Sequence, residues 1–169
     1  MPMTTQPEDI YARSNLTQNQ LLFWIGQRFY PDSPVFNMLM NYTINGAVDH
    51  GRFAAAYQTV INQTDVLRTV IVEKEGVPFQ QVQPALSYDV PQLDLSHEPN
   101  PQAAYEAWVQ GRCHQPFDIS DQLFDTVLIK LAEDKFVWYQ CMHHIVVDAL
   151  AMNLIYQRVA DRYEALGNN

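Results

Sequence analysis

Residues 141–150 read CMHHIVVDAL, and the apolar run that leads into them is typical of a buried β-strand. Neighbouring side chains on a strand point to opposite faces of the sheet. We therefore expect one of His143 and His144 to face the packed side, and the other to face open space or a cleft. By the same alternation, Cys141 shares a face with His143, and Met142 shares one with His144.

Asp148 follows His144 by four residues, at the point where the strand pattern gives way to a helix. An aspartate at this place is favoured as a helix N-cap, because its carboxylate accepts hydrogen bonds from the first free N–H groups. A second interpretation has the carboxylate buried and paired with an arginine. The junction also suits chemistry, since a histidine ring at a strand end serves either packing or general acid–base catalysis.

The composition limits the class of protein. The 169 residues suit one domain or one lobe of a larger domain, and the net charge of −9 argues against a nucleic-acid partner. The two cysteines form no paired framework, which agrees with a reducing compartment. Residues 1–15 do not resemble a signal peptide, and no window is apolar over the length of a membrane span. We predict a cytoplasmic protein without a membrane partner, in which residues 1–15 are a flexible lead-in.

Hydrophobic periodicity predicts seven elements over residues 16–169, in the order helix, strand, helix, hairpin, helix, hairpin, helix. The residues predicted to cap the first three helices are Thr17, with Gln20 in a capping box, Asp49 and Asn100. The last helix is predicted from about Ala149 to Leu166. Strands of mixed direction with covering helices imply an α/β fold: a two-layer sandwich whose mixed sheet is largely covered on one face.

Other kinds of site have weak support in the sequence. A zinc site would need Cys113 and His114 together with Cys141 and His143, and neither segment has CxxC or HExxH spacing. We therefore predict no metal. No serine or cysteine lies in a nucleophile elbow, and no glycine-rich loop is present to bind phosphate.

Several segments, in order, resemble one family. MHHIVVDA (142–149) resembles the H-H-x-x-x-D-G signature of the condensation domains of nonribosomal peptide synthetases, which belong to the chloramphenicol acetyltransferase-like superfamily. LTQNQLLFW (16–24) is similar to the first condensation motif, L-S-x-x-Q-x-x-L-W. PDSPVFN (31–37) follows where the family has a Ser-Pro-x-x-Asn turn. QTDVLRT (63–69) resembles the second motif, R-H-E-x-L-R-T, and PFDIS (116–120) resembles a Pro-Phe-Asp-Leu segment.

The resemblance implies roles for individual residues. His144 matches the catalytic second histidine, which removes a proton or positions the amine and the developing charge. His143 matches the structural first histidine, Asp148 the structural aspartate, and Arg68 the last arginine of the second motif. We add the hypothesis that Asp148 and Arg68 form a pair. In that case Arg68→Ala should cost roughly 3–5 kcal/mol of stability, because it leaves Asp148 buried and unpaired.

The chain departs from the family pattern at three places. Gln20 is kept in the first motif, but the residues after it are apolar. Gln63, Thr64 and Asp65 stand where the second motif has Arg, His and Glu. Ala149 replaces the motif glycine and is a candidate tunnel-lining residue. Its methyl group would narrow the approach of a substrate arm to the histidine, since only glycine permits the closest backbone approach. Both histidines and Asp148 are kept, so we expect a working site.

The family resemblance also implies partners. Condensation domains have two lobes with the site in a tunnel between them, and this chain resembles the N-terminal lobe alone, over residues 16–169. The implied partners are the missing C-terminal lobe and carrier-protein domains that present substrates on phosphopantetheine arms. The resemblance further implies that no cofactor is bound directly. We expect the isolated lobe to lack activity and to self-associate through its uncovered inner face.

Three functions remain open from the sequence. The first is amide formation between a carrier-bound acyl or aminoacyl thioester and an amine. The second is ester formation or CoA-dependent acyl transfer by a relative in the same superfamily. The third is a domain of this fold that recruits partners without catalysis. Such domains usually lack the second histidine, which this chain keeps as His144.

Overall fold

The computed structural model describes residue 10 and residues 12–167. Most of the predicted lead-in, residues 1–15, lies outside the described residues. Its described end is attached to the fold, because the Ser14 hydroxyl donates a hydrogen bond to the carbonyl oxygen of Pro78 at 2.6 Å.

The described elements follow the predicted order, with one additional strand. The α-helices are α1 (Gln18–Phe29), α2 (His50–Gln63), α3 (Pro101–Arg112) and α4 (Ala149–Gly167). The strands are β1 (Asn37–Asn45), β2 (Thr69–Lys74), β3 (Val77–Val82), β4 (Gln92–Asp94), β5 (Phe124–Ala132) and β6 (Lys135–His143). A 3₁₀ turn, Asp65–Arg68, joins α2 to β2. Among the described residues, no helix combines the length and apolarity that crossing a bilayer requires.

The helix starts are set by the predicted cap residues. Thr17 accepts from the backbone N–H of Gln20, whose side chain accepts in turn from the N–H of Thr17, so the capping box is confirmed. Asp49 and Asn100 each accept from the third residue of the helix that follows. Pro101 occupies the first turn of α3, where its missing N–H costs nothing.

The main sheet has the strand order β1-β6-β5-β4. Strands β1 and β5 both pair antiparallel with β6, whereas β4 pairs parallel with β5, which confirms the predicted mixed sheet. We predicted a surface connection where β4 lies. This strand has only three residues and exposed ends, so its sequence carries no alternation long enough to identify it.

Strands β2 and β3 form a separate two-stranded hairpin. Their turn lies at Glu75 and Gly76, as predicted, and both residues have positive φ, 52° and 78°. Positive φ at both central residues matches the right-handed twist of a hairpin, and glycine adopts it without steric cost.

Helices cover both faces of the main sheet. Helices α2 and α4 pack on one face, around buried Trp138 and Tyr57. Helix α3 packs on the other face, where Val109 meets Ile129 and Tyr139. We expected cover largely on one face, and the α/β architecture with a mixed sheet is as predicted. Strand β6 lies between β1 and β5 in this sheet. His143 is its last residue, and His144 follows directly.

Candidate active site

The histidine pair lies where β6 ends and the chain turns into α4. The backbone N–H of His143 donates to Leu123 O at 3.0 Å, and that of His144 donates to Phe36 O at 2.8 Å. The N–H of Val146 donates back to His143 O at 3.2 Å and closes a turn. The backbone at the end of β6 is therefore held by Leu123 next to β5 and by Phe36 next to β1, independently of the histidine side chains.

His143 is the inward-facing member of the pair and is fully buried. Its ring lies near the rings of Phe36 and Phe117, at centroid distances of 5.9 and 6.3 Å. Nδ1 accepts the N–H of Ile145 at 3.0 Å, and Nε2 lies 3.3 Å from Oε1 of Gln27. Burial, helped by the neighbouring His144, lowers the pKa of His143 to about 4, so the ring is neutral near pH 7.

His144 is the outward-facing member and is partly exposed. Its ring stacks on Phe23 of α1, with centroids 4.6 Å apart and planes inclined by 24°. Nδ1 lies 2.7 Å from the carbonyl oxygen of Val147. A carbonyl only accepts, so Nδ1 carries the proton and a neutral ring keeps its lone pair at Nε2. This is the tautomer that accepts a proton or a hydrogen bond from a substrate.

Asp148 is the N-cap of α4 and is exposed to solvent. Its Oδ1 accepts the N–H of Ala151 at 2.7 Å. Of the two interpretations that the sequence left open, a helix N-cap and a buried partner of an arginine, the structure shows the N-cap. The carboxylate thus shapes the loop that carries His144, because it fixes where α4 begins.

Arg68 does not pair with Asp148, so our pairing hypothesis is wrong. Its guanidinium is bound to Asp65 Oδ1 at 2.7 Å and to the carbonyl oxygens of Ile61 and Gln83, at 3.1 and 2.6 Å. Arg68 ties the end of α2 to the end of β3. The physical reason is local: nearby carbonyl groups and one carboxylate satisfy the guanidinium, while the helix N-terminus satisfies Asp148.

Ala149 is the first residue of α4 and is exposed. Leu150 and Leu154 follow on the outer side of the helix, 66% and 46% exposed. Leu150 and Leu154 are one helical turn apart, so their exposed side chains are neighbours on the surface near the start of α4.

The residues considered for a zinc site are not assembled. Cys113 Sγ lies 3.5 Å from Nδ1 of its neighbour His114. Cys141 is buried, which raises the pKa of its thiol to about 11. Within residues 10 and 12–167, no group of three or more His, Cys, Asp or Glu side chains is placed to hold a metal ion.

Our sequence interpretation missed two contributions from α1. We assigned Gln20 to a cap and to the first motif without a contact to the histidines, but its Nε2 also donates to Ile145 O at 3.0 Å, which attaches α1 to the histidine loop. Gln27 contacts His143 and was not singled out. Gln20, Trp24 and Gln27 follow the spacing i, i+4, i+7, so two glutamines on a helix stripe were a signal for buried polar contacts.

Comparisons with known proteins agree on one family. The family model described as "Condensation domain" matches residues 11–169. The isonitrile lipopeptide synthase of Streptomyces coeruleorubidus is 33% identical over 160 residues, which cover 94% of this chain and 11% of that protein. The dimodular nonribosomal peptide synthase of Bacillus subtilis (strain 168) is 33% identical over 161 residues, which cover 95% of this chain and 7% of that protein.

Solved structures give the same result. The starter condensation domain of the rhizomide synthetase RzmA is 36% identical, with a TM-score of 0.85, over 91% of this chain and 38% of that one. The first condensation domain of the calcium-dependent antibiotic synthetase is 25% identical, with a TM-score of 0.85, over 92% of this chain and 38% of that one. This chain therefore belongs to the condensation-domain family and corresponds to its N-terminal lobe.

Proposed function

We propose that this lobe, closed by a C-terminal lobe, forms an amide between an acyl or aminoacyl thioester and the amine of an acceptor. The amine nitrogen attacks the thioester carbon, the carbon–sulfur bond breaks, and the thiolate leaves. The amine loses one proton and the thiolate gains one, so no further reactant is needed. The observation that carries the proposal is the His144 ring, which donates through Nδ1 to Val147 O, while Nε2 has no hydrogen-bond partner among the described residues.

Each neighbour of His144 has a part in this proposal. Phe23 fixes the plane of the ring by stacking, and the backbone hydrogen bond to Phe36 fixes the strand end. Nε2 then accepts the amine proton, or a hydrogen bond from the amine as charge develops. His143 stays neutral beneath the site, so no second positive charge opposes that of a protonated His144.

The partners belong to the proposal as well. The chain spans 38% of the two solved condensation domains named above, and 11% or less of the synthases named with them. One lobe supplies His144 but no opposing wall, so orientation and water exclusion are incomplete in the lobe alone. We propose that carrier-protein domains deliver both substrates on phosphopantetheine arms, in the cytoplasm, and that residues 16–169 act together with a C-terminal lobe.

A CoA thioester is the second candidate for the donor. A mutant of the RzmA starter domain, 36% identical to this chain, has been solved in complex with C8-CoA.

We propose that Ala149, at the start of α4, limits the width of the donor at the position where the family has glycine. A narrow approach favours a linear acyl group over a branched one.

The test uses the complete two-lobed domain that contains this chain. The domain receives an aminoacyl carrier protein as acceptor and, in separate reactions, a carrier-bound acyl donor or the same acyl group on CoA. Mass spectrometry of the acceptor arm identifies an amide product. Product from the carrier-bound donor alone supports the first candidate, and comparable product from CoA supports the second. No amide from either donor would contradict the proposed function, as would full activity of residues 1–169 without the second lobe.

A further inference from the structure

Gln27 is a buried polar side chain on the last turn of α1, and it is 5% exposed. Its Nε2 lies 3.2 Å from Tyr30 O, 3.0 Å from Pro31 O and 3.3 Å from Ser33 O. All three are carbonyl oxygens in the turn between α1 and β1, and carbonyl oxygens only accept. The amide orientation is therefore determined: the NH₂ group faces the turn, and Oε1 faces His143.

This orientation fixes the tautomer of His143. Gln27 Oε1 only accepts, so the facing Nε2 of His143 must carry the proton, across a distance of 3.3 Å. Nδ1 is then unprotonated, and it accepts the N–H of Ile145 at 3.0 Å. The contacts at the two ends of the ring support each other in this assignment. It is also the opposite of His144, whose proton is on Nδ1.

The chain of contacts ends at the peptide that carries His144. Ile145 follows His144 directly, its N–H is bound by His143, and its carbonyl accepts from Gln20 at 3.0 Å. Rotation of this peptide would change the direction of the His144 ring. Gln27 itself does not contact His144 through any described hydrogen bond, so its effect on that ring passes through His143.

We propose that Gln27 is a positioning residue for the reaction at His144: it holds His143 in one tautomer and one orientation, and thereby fixes the peptide that directs Nε2 of His144. The proposal rests on the function proposed for His144. A buried amide with four hydrogen-bond contacts resists displacement, because at 5% exposure its own polar atoms have little water to replace the partners they would lose. An apolar side chain of the same size would pack at this position but could not orient the ring.

The experiment replaces Gln27 by methionine, which keeps the length of the side chain and removes its hydrogen bonds. Gln18→Met is the matched control, because Gln18 is exposed at the start of the same helix. The complete domain is prepared with ¹⁵N-labelled histidine, and ring ¹⁵N shifts report the tautomers. We expect His143 to change from pure Nε2–H to a mixture in Gln27→Met, and kcat to fall roughly 10- to 100-fold with little change in KM. Gln18→Met should leave both readouts unchanged.

A double-mutant cycle separates positioning from packing. If Gln27 acts through His143, the losses of kcat in Gln27→Met and His143→Asn are not additive. Additive losses, an unchanged His143 tautomer, or an unchanged kcat despite a changed tautomer would each overturn the proposal. Should Gln27→Met fail to fold, the unaltered domain still provides a test, since Nδ1–H on His143 would overturn the assignment. Failure of the proposed function is recognised separately, by a His144→Ala variant that keeps its activity.

Discussion

The ring of His144 stacks on the ring of Phe23, with centroids 4.6 Å apart and an angle of 24° between the planes. Phe23 in turn meets Phe36 edge to face at 5.3 Å, so one aromatic pair joins α1 and the start of β1 beneath the imidazole. The His144 ring is thus supported by a helix that is distant in sequence from the histidine motif.

The first prediction concerns this support. Phe23→Leu keeps an apolar side chain but removes the flat surface on which the imidazole lies, so we expect kcat of the complete domain to fall by about tenfold or more. Stability should fall by only about 1 kcal/mol, since most of the apolar contact remains. Phe29→Leu is the matched control, because Phe29 is on the same helix and 75% exposed. Equal kcat values for the Phe23→Leu variant and the unaltered domain would show that stacking does not position the ring.

The second prediction concerns pH. Burial lowers the pKa of His143 from 6.5 to about 4, so the unfolded chain binds the proton more tightly than the folded one between these values. The free energy of unfolding that depends on His143 is therefore highest above pH 6.5, and it decreases as the pH falls from 6.5 toward 4. The free energy of unfolding measured in urea should therefore be about 2–3 kcal/mol lower at pH 4.5 than at pH 7 on account of this residue.

The measurement for His143 is a difference between variants, because carboxylates also titrate in this range. His143→Asn, whose amide oxygen can accept the N–H of Ile145, should lack this part of the pH dependence. His97→Asn, at an exposed loop position, should keep it. The same pH dependence in His143→Asn as in the unaltered protein would show that the ring is not buried in its neutral form.

The third prediction tests the corrected partners of Arg68 and Asp148. Asp148→Ala removes the cap of α4 and should cost about 1 kcal/mol. Arg68→Ala breaks the contacts to Asp65 and to the carbonyl groups near α2 and β3. Because the two side chains share no contact, the losses should add within about 0.5 kcal/mol in urea unfolding. A coupling energy well above that value would instead support a direct ion pair between Arg68 and Asp148.

The fourth prediction concerns the exposed leucines of α4. Leu150 and Leu154 expose apolar side chains near the start of α4, so we expect the isolated chain to self-associate at high concentration. Leu150→Glu together with Leu154→Glu should reduce association. A glutamate at 150 also suits the first turn, where the helix dipole favours a negative charge. Light scattering measures this, with Leu166→Glu at the far end of the helix as control. A monomeric unaltered chain at high concentration would contradict the expectation.

Much of the fold could be predicted because local signals agreed with one another. The Thr17–Gln20 capping box, the alternation of β1 and the Glu75–Gly76 turn each depend on neighbouring residues. Strand β4 could not be predicted, because three residues pair parallel with β5 and gain their order only from that partner. Tertiary contacts determine whether such short strands form, and the hydrophobic periodicity of the sequence does not reveal them.

The site was predictable in part, for a related reason. Alternation along β6 predicted that one histidine is buried and the other faces outward, and the structure assigns these places to His143 and His144. The partner of Arg68 could not be read from charge alone, since both Asp65 and Asp148 are aspartates. The contribution of Gln27 depends on three carbonyl groups in a turn, which the sequence does not position.

The most direct test of the central claim is the single-turnover rate of amide formation by the complete domain, with and without the His144 imidazole. We expect His144→Ala to fold as the unaltered domain does, to bind both loaded carrier proteins, and to form product roughly 100- to 10,000-fold more slowly. His97→Ala, at an exposed position, should keep the full rate. A His144→Ala domain that forms amide at the unaltered rate would contradict the account.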